Sequence, residues 1–305
     1  MEIKNISLIG LGALGLLFGQ QILKNGQNCH LNVIADQKRI DRYKKEGVLV
    51  NGAPLNFDYI TPDATCEPAD LIIVGVKANA LNTAIQSIKN HVGKDTIILS
   101  MLNGIISEAV LGDAYGMSHM IYCVAQGMDA VKVGNQLTYD NMGLLCIGDW
   151  HADAPSDKVK AVEAFFKSVQ IPYEIDLDMR HRIWGKFMLN VGVNQTVAVY
   201  EDTYQVVQEG GSGRDTMIAA MREVVDLSEK EGVGLTEADI DYWLKILQTL
   251  NPMGKPSMRQ DLEAKRPSEV DLFSGTVIEK AKKYTLDTPV NARLYKEIKA
   301  MEAKF

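Results

Sequence analysis

The sequence is poor in the residues that build disulfide frameworks and structural zinc sites. Only four cysteines are present among 305 residues, and none of them forms a CxxC pair. The five histidines show neither HxxxH nor HExxH spacing, so no metal site is expected. Widely separated thiols of this kind are typical of reduced cysteines in a cytosolic protein.

An excess of basic charge and long apolar runs are also missing. Lys and Arg together number 32 against 39 acidic residues, which gives a net charge of −7. Nucleic acids and anionic membranes require a basic surface, so neither is expected as a partner. No apolar run approaches the roughly 18 residues of a membrane span, and the first residues lead directly into a strand-like segment without an export signal. We therefore expect a cytoplasmic protein that acts on a small molecule.

The sequence does contain the composition of an ordinary globular protein, with 46% hydrophobic and 23% charged residues. Strand and helix patterns alternate through the first part of the chain, and helical patterns follow almost exclusively after it. Within the first part, Asn51-Gly52 is typical of a hairpin turn, and short antiparallel strands are predicted between Lys132 and Ile147. We predict an α/β protein with an N-terminal Rossmann-type doubly wound sheet over residues 1–177. An all-helical domain is predicted over residues 178–305, and its apolar helices would also suit a homodimer interface.

A glycine-rich loop follows the first predicted strand, Ile3–Ile9, and opens a helical pattern. The spacing is G-x-G-x-x-G, in which Gly10 permits a tight turn, Gly12 lets the backbone approach a pyrophosphate, and Gly15 allows close helix–strand packing. A purely structural turn is the alternative, but the position between strand and helix favours dinucleotide binding. The residues assigned to the cofactor here are Gly10, Leu11, Gly12, Ala13, Leu14 and Gly15.

An acidic residue, Asp36, ends the second predicted strand about twenty residues beyond the glycine loop. A carboxylate at this place accepts a hydrogen bond from the ribose 2′-OH of NAD(H) and repels the 2′-phosphate of NADP(H). Lys38 and Arg39 follow directly and would suit a phosphate, or they belong to the solvated first turn of a helix. Both cofactors therefore remain candidates.

Two polar residues follow later strand-like segments. Lys77 comes after the apolar run LIIVGV, and Asn103 comes after TIILSM. Ligands bind at the carboxyl ends of parallel strands, so Lys77 is a candidate for cofactor binding and Asn103 for both cofactor and substrate binding. A snorkelling lysine and an ordinary Asn-Gly turn are the alternatives.

A strongly apolar helix is predicted over Trp184–Asn194. Lys186, Asn190 and Asn194 interrupt it at positions i, i+4 and i+8, which stacks one ammonium and two amides on a single face. Burying a lysine without a partner is costly, so the row either orients a small polar substrate or is neutralised within the core.

Five segments together resemble one family. They are GLGALG at 10–15, VKAN at 76–79, LNG at 102–104, WGKFMLN at 184–190 and PSMRQDLEAKRPSEVDLFSG at 256–275. In this order they resemble the ketopantoate reductases (2-dehydropantoate 2-reductases) over almost the whole chain. The lysine helix and the Ser…Glu segment are more specific than the glycine loop.

The resemblance implies reduction of ketopantoate to pantoate with NADPH, in the route to pantothenate and coenzyme A, in a cleft between the two domains. Lys186 matches the catalytic lysine that protonates the ketone oxygen, and Glu269 matches the carboxylate that binds the substrate hydroxyl. Asn190, Asn194 and Ser257 match the residues that contact substrate, whereas Lys77 and Asn103 match the cofactor–substrate junction. As an alternative, Ser257-x-x-Gln260 is typical of a helix capping box, as is Thr236-x-x-Asp239 earlier in the chain. Ser268-x-x-Asp271 is predicted to open a helix that continues through Lys283, where an acidic residue in the first turn is the alternative role of Glu269.

The sequence departs from the family at two positions. Asp36 stands where many members carry an arginine suited to NADP(H), and Gln195 replaces a proline or small residue. Gly185 to Asn190 also fits the Gly-Lys-x-x-x-Asn pattern of β-hydroxyacid dehydrogenases, so a reductase of another 2-oxo acid is an alternative. A non-catalytic dinucleotide sensor is a further alternative, although such a protein would need only the glycine loop.

Overall fold

The computed structural model describes residues 2–305, which divide into two compact units. The first unit ends at Met179, and the second spans Arg180–Phe305. Within the described residues no helix is both long and apolar enough to cross a bilayer.

The first unit alternates strands and helices, as predicted. Its elements in chain order are β1 (Asn5–Ile9), α1 (Ala13–Asn25), β2 (His30–Ile34), α2 (Gln37–Glu46), β3 (Val48–Val50), β4 (Ala53–Leu55), β5 (Asp58–Ile60), β6 (Leu71–Val74), α3 (Leu81–Ile88), β7 (Ile97–Ser100), α4 (Ser107–Tyr115), β8 (Met120–Gln126), β9 (Val131–Val133), β10 (Gln136–Thr138), β11 (Leu144–Gly148), α5 (Asp157–Ser168) and β12 (Tyr173–Ile175).

The main sheet has the strand order β5-β2-β1-β6-β7-β8-β11-β12. The strands from β5 to β8 run parallel, β11 is antiparallel to β8, and β12 is parallel to β11. The order of the strands reverses between β1 and β6, which creates the switch point where such sheets bind ligands. The predicted Rossmann-type fold is thereby confirmed.

Helices cover both faces of this sheet. One buried cluster joins the sheet to α1 and α5, and a second joins it to α3 and α4. Because neither face meets solvent, the central strands carry continuous apolar runs, and every residue of Leu71–Val74 and Ile97–Ser100 is buried.

A smaller sheet has the order β4-β3-β10-β9. The predicted Asn51-Gly52 hairpin is confirmed, since these residues have φ of 47° and 78° and join β3 to β4 in the left-handed conformation that tight hairpins require. Strands β9 and β10 are antiparallel, as predicted, while β10 pairs with β3 in parallel.

The second unit is helical throughout, as predicted. Its helices are α6 (Met179–Val199), α7 (Gln205–Gln208), α8 (Ser212–Lys230), α9 (Glu237–Gln248), α10 (Ser257–Glu263), α11 (Thr276–Lys282) and α12 (Pro289–Glu302). One turn of π-helix, Asp271–Gly275, directly precedes α11. We refer to Asp271–Gly275 as the π turn.

Glycines in α6 allow its neighbours to pack closely. A Cβ built on Gly185 would lie 2.7 Å from Trp243 Nε1 of α9, and a Cβ on Gly192 would lie 2.6 Å from Met221 Cγ of α8. Both distances are too short for a real side chain. The glycine that precedes Lys186 therefore has a packing role of its own.

Of the two predicted capping boxes, one is confirmed and one is wrong. The box at Thr236 and Asp239 is confirmed at the start of α9. Ser257, however, is the first residue inside α10 because the Pro256 carbonyl already accepts the N–H of Gln260, which makes Pro256 the cap.

The helix predicted from Ser268 through Lys283 is present from Asp271 to Lys282, but its first turn is a π turn and not a regular α-helical turn. The π turn occupies Asp271–Gly275, and regular α-helix begins only at Thr276. The cause is a hydrogen bond from a distant part of the chain, described below.

Candidate active site

The glycine loop has the geometry of a phosphate-binding turn. Gly10 has φ of 98°, and a Cβ on it would lie 2.7 Å from the backbone of Gly75, just past β6. A Cβ on Gly15 would lie 1.9 Å from the Gly10 carbonyl oxygen, so both positions require glycine. Gly12 caps α1, whose first turn contains no acidic residue. The positive end of the helix dipole is therefore well suited to a pyrophosphate.

The predicted cofactor residues of the first unit form a row along one edge of the sheet. Asp36 follows β2, the glycine loop follows β1, Lys77 comes three residues after β6, and Asn103 follows β7. These strands are parallel neighbours in the order β2-β1-β6-β7. Adjacent strands lie about 5 Å apart, so the row extends over about 15 Å.

Asp36 at one end of this row is already engaged by the protein. It caps α2 by accepting the Arg39 N–H through Oδ1 at 2.8 Å, and its Oδ2 lies 3.2 Å from Arg39 Nη1. Both side chains are more than half exposed. Lys38 is also exposed in the first turn of α2. A ligand that approaches this end of the row would therefore meet a carboxylate and a guanidinium that are paired with each other.

A buried carboxyl that the sequence did not reveal lies behind the Asn103 loop. The Leu102 N–H donates to Ser100 Oγ at 3.3 Å, and that hydroxyl lies 2.9 Å from Ser107 Oγ. Ser107 Oγ in turn donates to Glu108 Oε2 at 2.9 Å. Burial raises the pKa of Glu108 to about 7. No motif pointed to this chain of hydrogen bonds, because the burial of Glu108 depends on packing of α4 against the sheet.

The second unit brings three predicted substrate residues into one hydrogen-bonded chain. Asn190 and Asn194 lie on consecutive turns of α6 and are each 7% exposed. Asn194 Nδ2 donates to Asn190 Oδ1 at 3.3 Å, and Ser257 Oγ of α10 donates to Asn194 Oδ1 at 3.4 Å. The orientation of the Asn194 amide is thereby specified. Lys186 is partly buried one turn before Asn190 on the same helix.

The last predicted catalytic residue, Glu269, is partly buried two residues ahead of the π turn. Its carbonyl accepts the N–H groups of Leu272 and Phe273 at 3.0 and 3.1 Å. The direction of the Glu269 backbone is therefore tied to the geometry of this turn. Turns of π-helix are often found next to functional residues.

Two models of one family match the chain in sequence. The model described as Ketopantoate reductase PanE/ApbA matches residues 6–151, and the model of its C terminal matches residues 178–302. The chain belongs to the ketopantoate reductase family. It is accordingly an oxidoreductase that acts on a CH–OH group with a nicotinamide dinucleotide.

Individual relatives are similar over their full lengths. The 2-dehydropantoate 2-reductase of Vibrio cholerae serotype O1 is 25% identical over 300 residues, which is 98% of each chain. A dimeric ketopantoate reductase from Staphylococcus aureus has a TM-score of 0.80 at 19% identity, covering 98% of this chain and 99% of that one. D-Mandelate dehydrogenase in complex with NADH has a TM-score of 0.87 at 21% identity, with the same coverage. At these identities the two structures show that the fold is shared.

Proposed function

We propose that this member of the ketopantoate reductase family is a 2-dehydropantoate 2-reductase, which reduces ketopantoate to pantoate for pantothenate and coenzyme A synthesis. The observation that carries the proposal is the Ser257–Asn194–Asn190 chain of hydrogen bonds on the helix of Lys186. A dinucleotide sensor would need the glycine loop but would have no use for this second set of polar residues.

Lys186 is proposed as the general acid. A bound nicotinamide would supply the hydride for the keto carbon, and the negative charge left on the carbonyl oxygen would need a proton donor beside it. A positioned ammonium stabilises this charge and transfers a proton to the oxygen, which yields the hydroxyl of pantoate. Lys186 is partly buried beside the buried apolar residues Trp184 and Phe187 of α6, and partial removal from water strengthens such an electrostatic interaction.

The remaining polar residues of the second unit are proposed to hold the substrate. The amides of Asn190 and Asn194 and the hydroxyl of Ser257 would bind its polar groups, and their mutual hydrogen bonds orient them before the substrate arrives. Glu269 would accept a hydrogen bond from the 4-hydroxyl, which plain 2-oxo acids lack.

The row on the sheet edge is proposed to bind the dinucleotide. The adenosine ribose would lie beside Asp36, the pyrophosphate at Gly10–Gly15, and the nicotinamide near Lys77 and Asn103. Asp36 would repel a 2′-phosphate, and its contacts hold Arg39 against the carboxylate. We therefore propose that the protein uses NAD(H) at least as well as the NADP(H) expected from the family.

A second candidate is the reduction of a different 2-oxo acid. The likeness to D-mandelate dehydrogenase shows that this fold also serves an enzyme named for a 2-hydroxy acid other than pantoate. Ser257 and Glu269 favour ketopantoate, because its hydroxyl needs a polar partner.

The test is a 340 nm assay of the purified protein with ketopantoate and with a panel of unhydroxylated 2-oxo acids, each with NADH and NADPH. Preferred turnover of ketopantoate, with NADH at least equal to NADPH, is expected. Preference for an unhydroxylated acid would favour the second candidate, whereas strong NADPH preference would refute the role of Asp36.

The proposal includes a homodimer acting in the cytoplasm. The dimeric state named for the Staphylococcus aureus relative supports the homodimer. The cytoplasmic location is supported by the free thiols of the four cysteines, which are Cys29, Cys66, Cys123 and Cys146. Light scattering of the purified protein measures the oligomeric state directly.

A further inference from the structure

The residue that follows the second active-site asparagine is the centre of a fully buried polar network. Gln195 is 0% exposed, and its Nε2 donates to the Val191 carbonyl of α6 at 2.7 Å. Its Oε1 accepts the backbone N–H of Ser274 at 3.1 Å. Its Nε2 also lies 3.4 Å from Asn291 Oδ1, which accepts the Ser274 hydroxyl at 2.9 Å. Gln195 therefore links α6 to the π turn and to α12.

This network accounts for the π turn itself. In an α-helix the Ser274 N–H would bond to the carbonyl of Val270. Instead the Val270 carbonyl accepts the N–H of Gly275 at 3.0 Å, five residues ahead, and the Ser274 N–H is diverted to Gln195. One residue is thus inserted into the turn. The inserted residue rotates the residues after it relative to Glu269, which lies two residues before the turn.

The network is also anchored at its far end. Asn291 Nδ2 donates to Glu223 Oε2 of α8 at 2.7 Å, and the backbone N–H groups of Val290 and Asn291 donate to the same carboxylate at 2.7 and 2.9 Å. Asn291 and Ser274 are both fully buried. The amide of Gln195 is consequently held at a fixed point among α6, α8 and α12.

We propose that Gln195 is a positioning residue that sets the place of the Glu269 carboxylate relative to the polar row of α6, by holding the Ser274 N–H in the π turn. The proposal rests on the proposed function, in which Glu269 binds the substrate hydroxyl. Helix α6 carries Gln195 together with Lys186, Asn190 and Asn194. The Gln195 side chain therefore connects this helix to the segment that contains Glu269, the residue proposed to bind the substrate hydroxyl.

The variant Gln195→Met tests this role, because methionine has a similar length and volume but provides no amide. Gln20→Met is the matched control, since Gln20 is equally buried and donates to the Tyr139 hydroxyl at 2.9 Å in the first unit. Thermal unfolding of both variants is measured first, to establish that each variant is folded. A general loss of stability would affect both variants alike.

Three readouts separate positioning from stability. Gln195→Met is expected to lower the ratio of kcat/KM for ketopantoate over that for an unhydroxylated 2-oxo acid about tenfold, whereas Gln20→Met leaves the ratio unchanged. In the Glu269→Gln background, Gln195→Met is expected to change the ratio less than about twofold, since the carboxylate it positions is gone. Amide hydrogen exchange of residues 269–276 is expected to be faster in Gln195→Met alone.

An unchanged ratio in folded Gln195→Met, or full additivity with Glu269→Gln, would overturn the proposal. Unaltered exchange at Ser274 would show that the hydrogen bond does not hold the turn. If the wild type reduces no 2-oxo acid, the proposed function fails separately. The two acids are then compared by calorimetric binding to wild type and Gln195→Met, and equal effects on both would overturn the role of Gln195.

Discussion

The buried carboxyl of Glu108 predicts an unusual pH dependence of stability. Its pKa in the folded protein is raised by burial from 4.5 to about 7, although the hydrogen bond from Ser107 opposes the shift. Below pH 4.5 the carboxyl is protonated in both the folded and the unfolded chain, so it contributes no difference. Between pH 4.5 and 7 the unfolded chain releases its proton while the folded chain keeps it.

The sign of the effect follows from this difference in bound protons. The free energy of unfolding falls as the pH rises toward 7, and above that value the folded protein carries a buried carboxylate at a cost of about 3 kcal/mol. Glu108→Gln removes the ionisation and keeps an oxygen that accepts from the Ser107 hydroxyl. We expect the variant to match the wild type at pH 5 and to be more stable by about 2–3 kcal/mol at pH 8.5.

Urea unfolding of the two proteins at pH 5 and pH 8.5 measures this difference. Glu67→Gln serves as the control, because Glu67 is an exposed glutamate of the same unit. It is expected to behave as the wild type at both pH values. If Glu108→Gln and the wild type lose stability in parallel between pH 5 and 8.5, Glu108 ionises normally and the reasoning is wrong.

Three further predictions concern packing, cofactor and substrate. Gly185→Ala should destabilise the protein by about 1–3 kcal/mol because its Cβ meets the Trp243 indole; an unchanged midpoint in urea would refute the close packing. Asp36→Asn keeps an oxygen that caps α2 but removes the negative charge, so the ratio of kcat/KM for NADPH over that for NADH should rise about tenfold. An unaltered ratio would show that the adenosine ribose does not bind beside Asp36. Glu269→Gln should reduce kcat/KM for ketopantoate about tenfold or more, with little change for unhydroxylated acids; equal losses on both would refute its contact with the hydroxyl.

The parts of the fold that depend on local sequence were predictable. The glycine loop, the strands that precede Lys77 and Asn103, and the Asn51-Gly52 hairpin each follow from a short pattern whose geometry admits few alternatives. The row of polar residues on α6 follows from helical spacing alone.

The parts that failed depend on distant contacts. The helix predicted from Ser268 to Lys283 begins as a π turn, in which Gln195, 79 positions away, accepts the N–H of Ser274. The alternative in which Ser257 caps α10 is wrong, because Pro256 occupies that place and the serine hydroxyl donates to Asn194. Local patterns do not report such partners, which arise only when the helices of the second unit pack together.

The central claim, that Lys186 supplies the acid of a ketone reduction, is tested most directly by kcat of Lys186→Ala with ketopantoate. Binding of NADH and NADPH is followed in parallel by fluorescence, and Lys245→Ala, an exposed lysine of α9, is the control. We predict a loss in kcat of about 10²–10⁴-fold with dinucleotide binding intact, and no change for the control. Turnover of Lys186→Ala within a few-fold of the wild type would contradict the account.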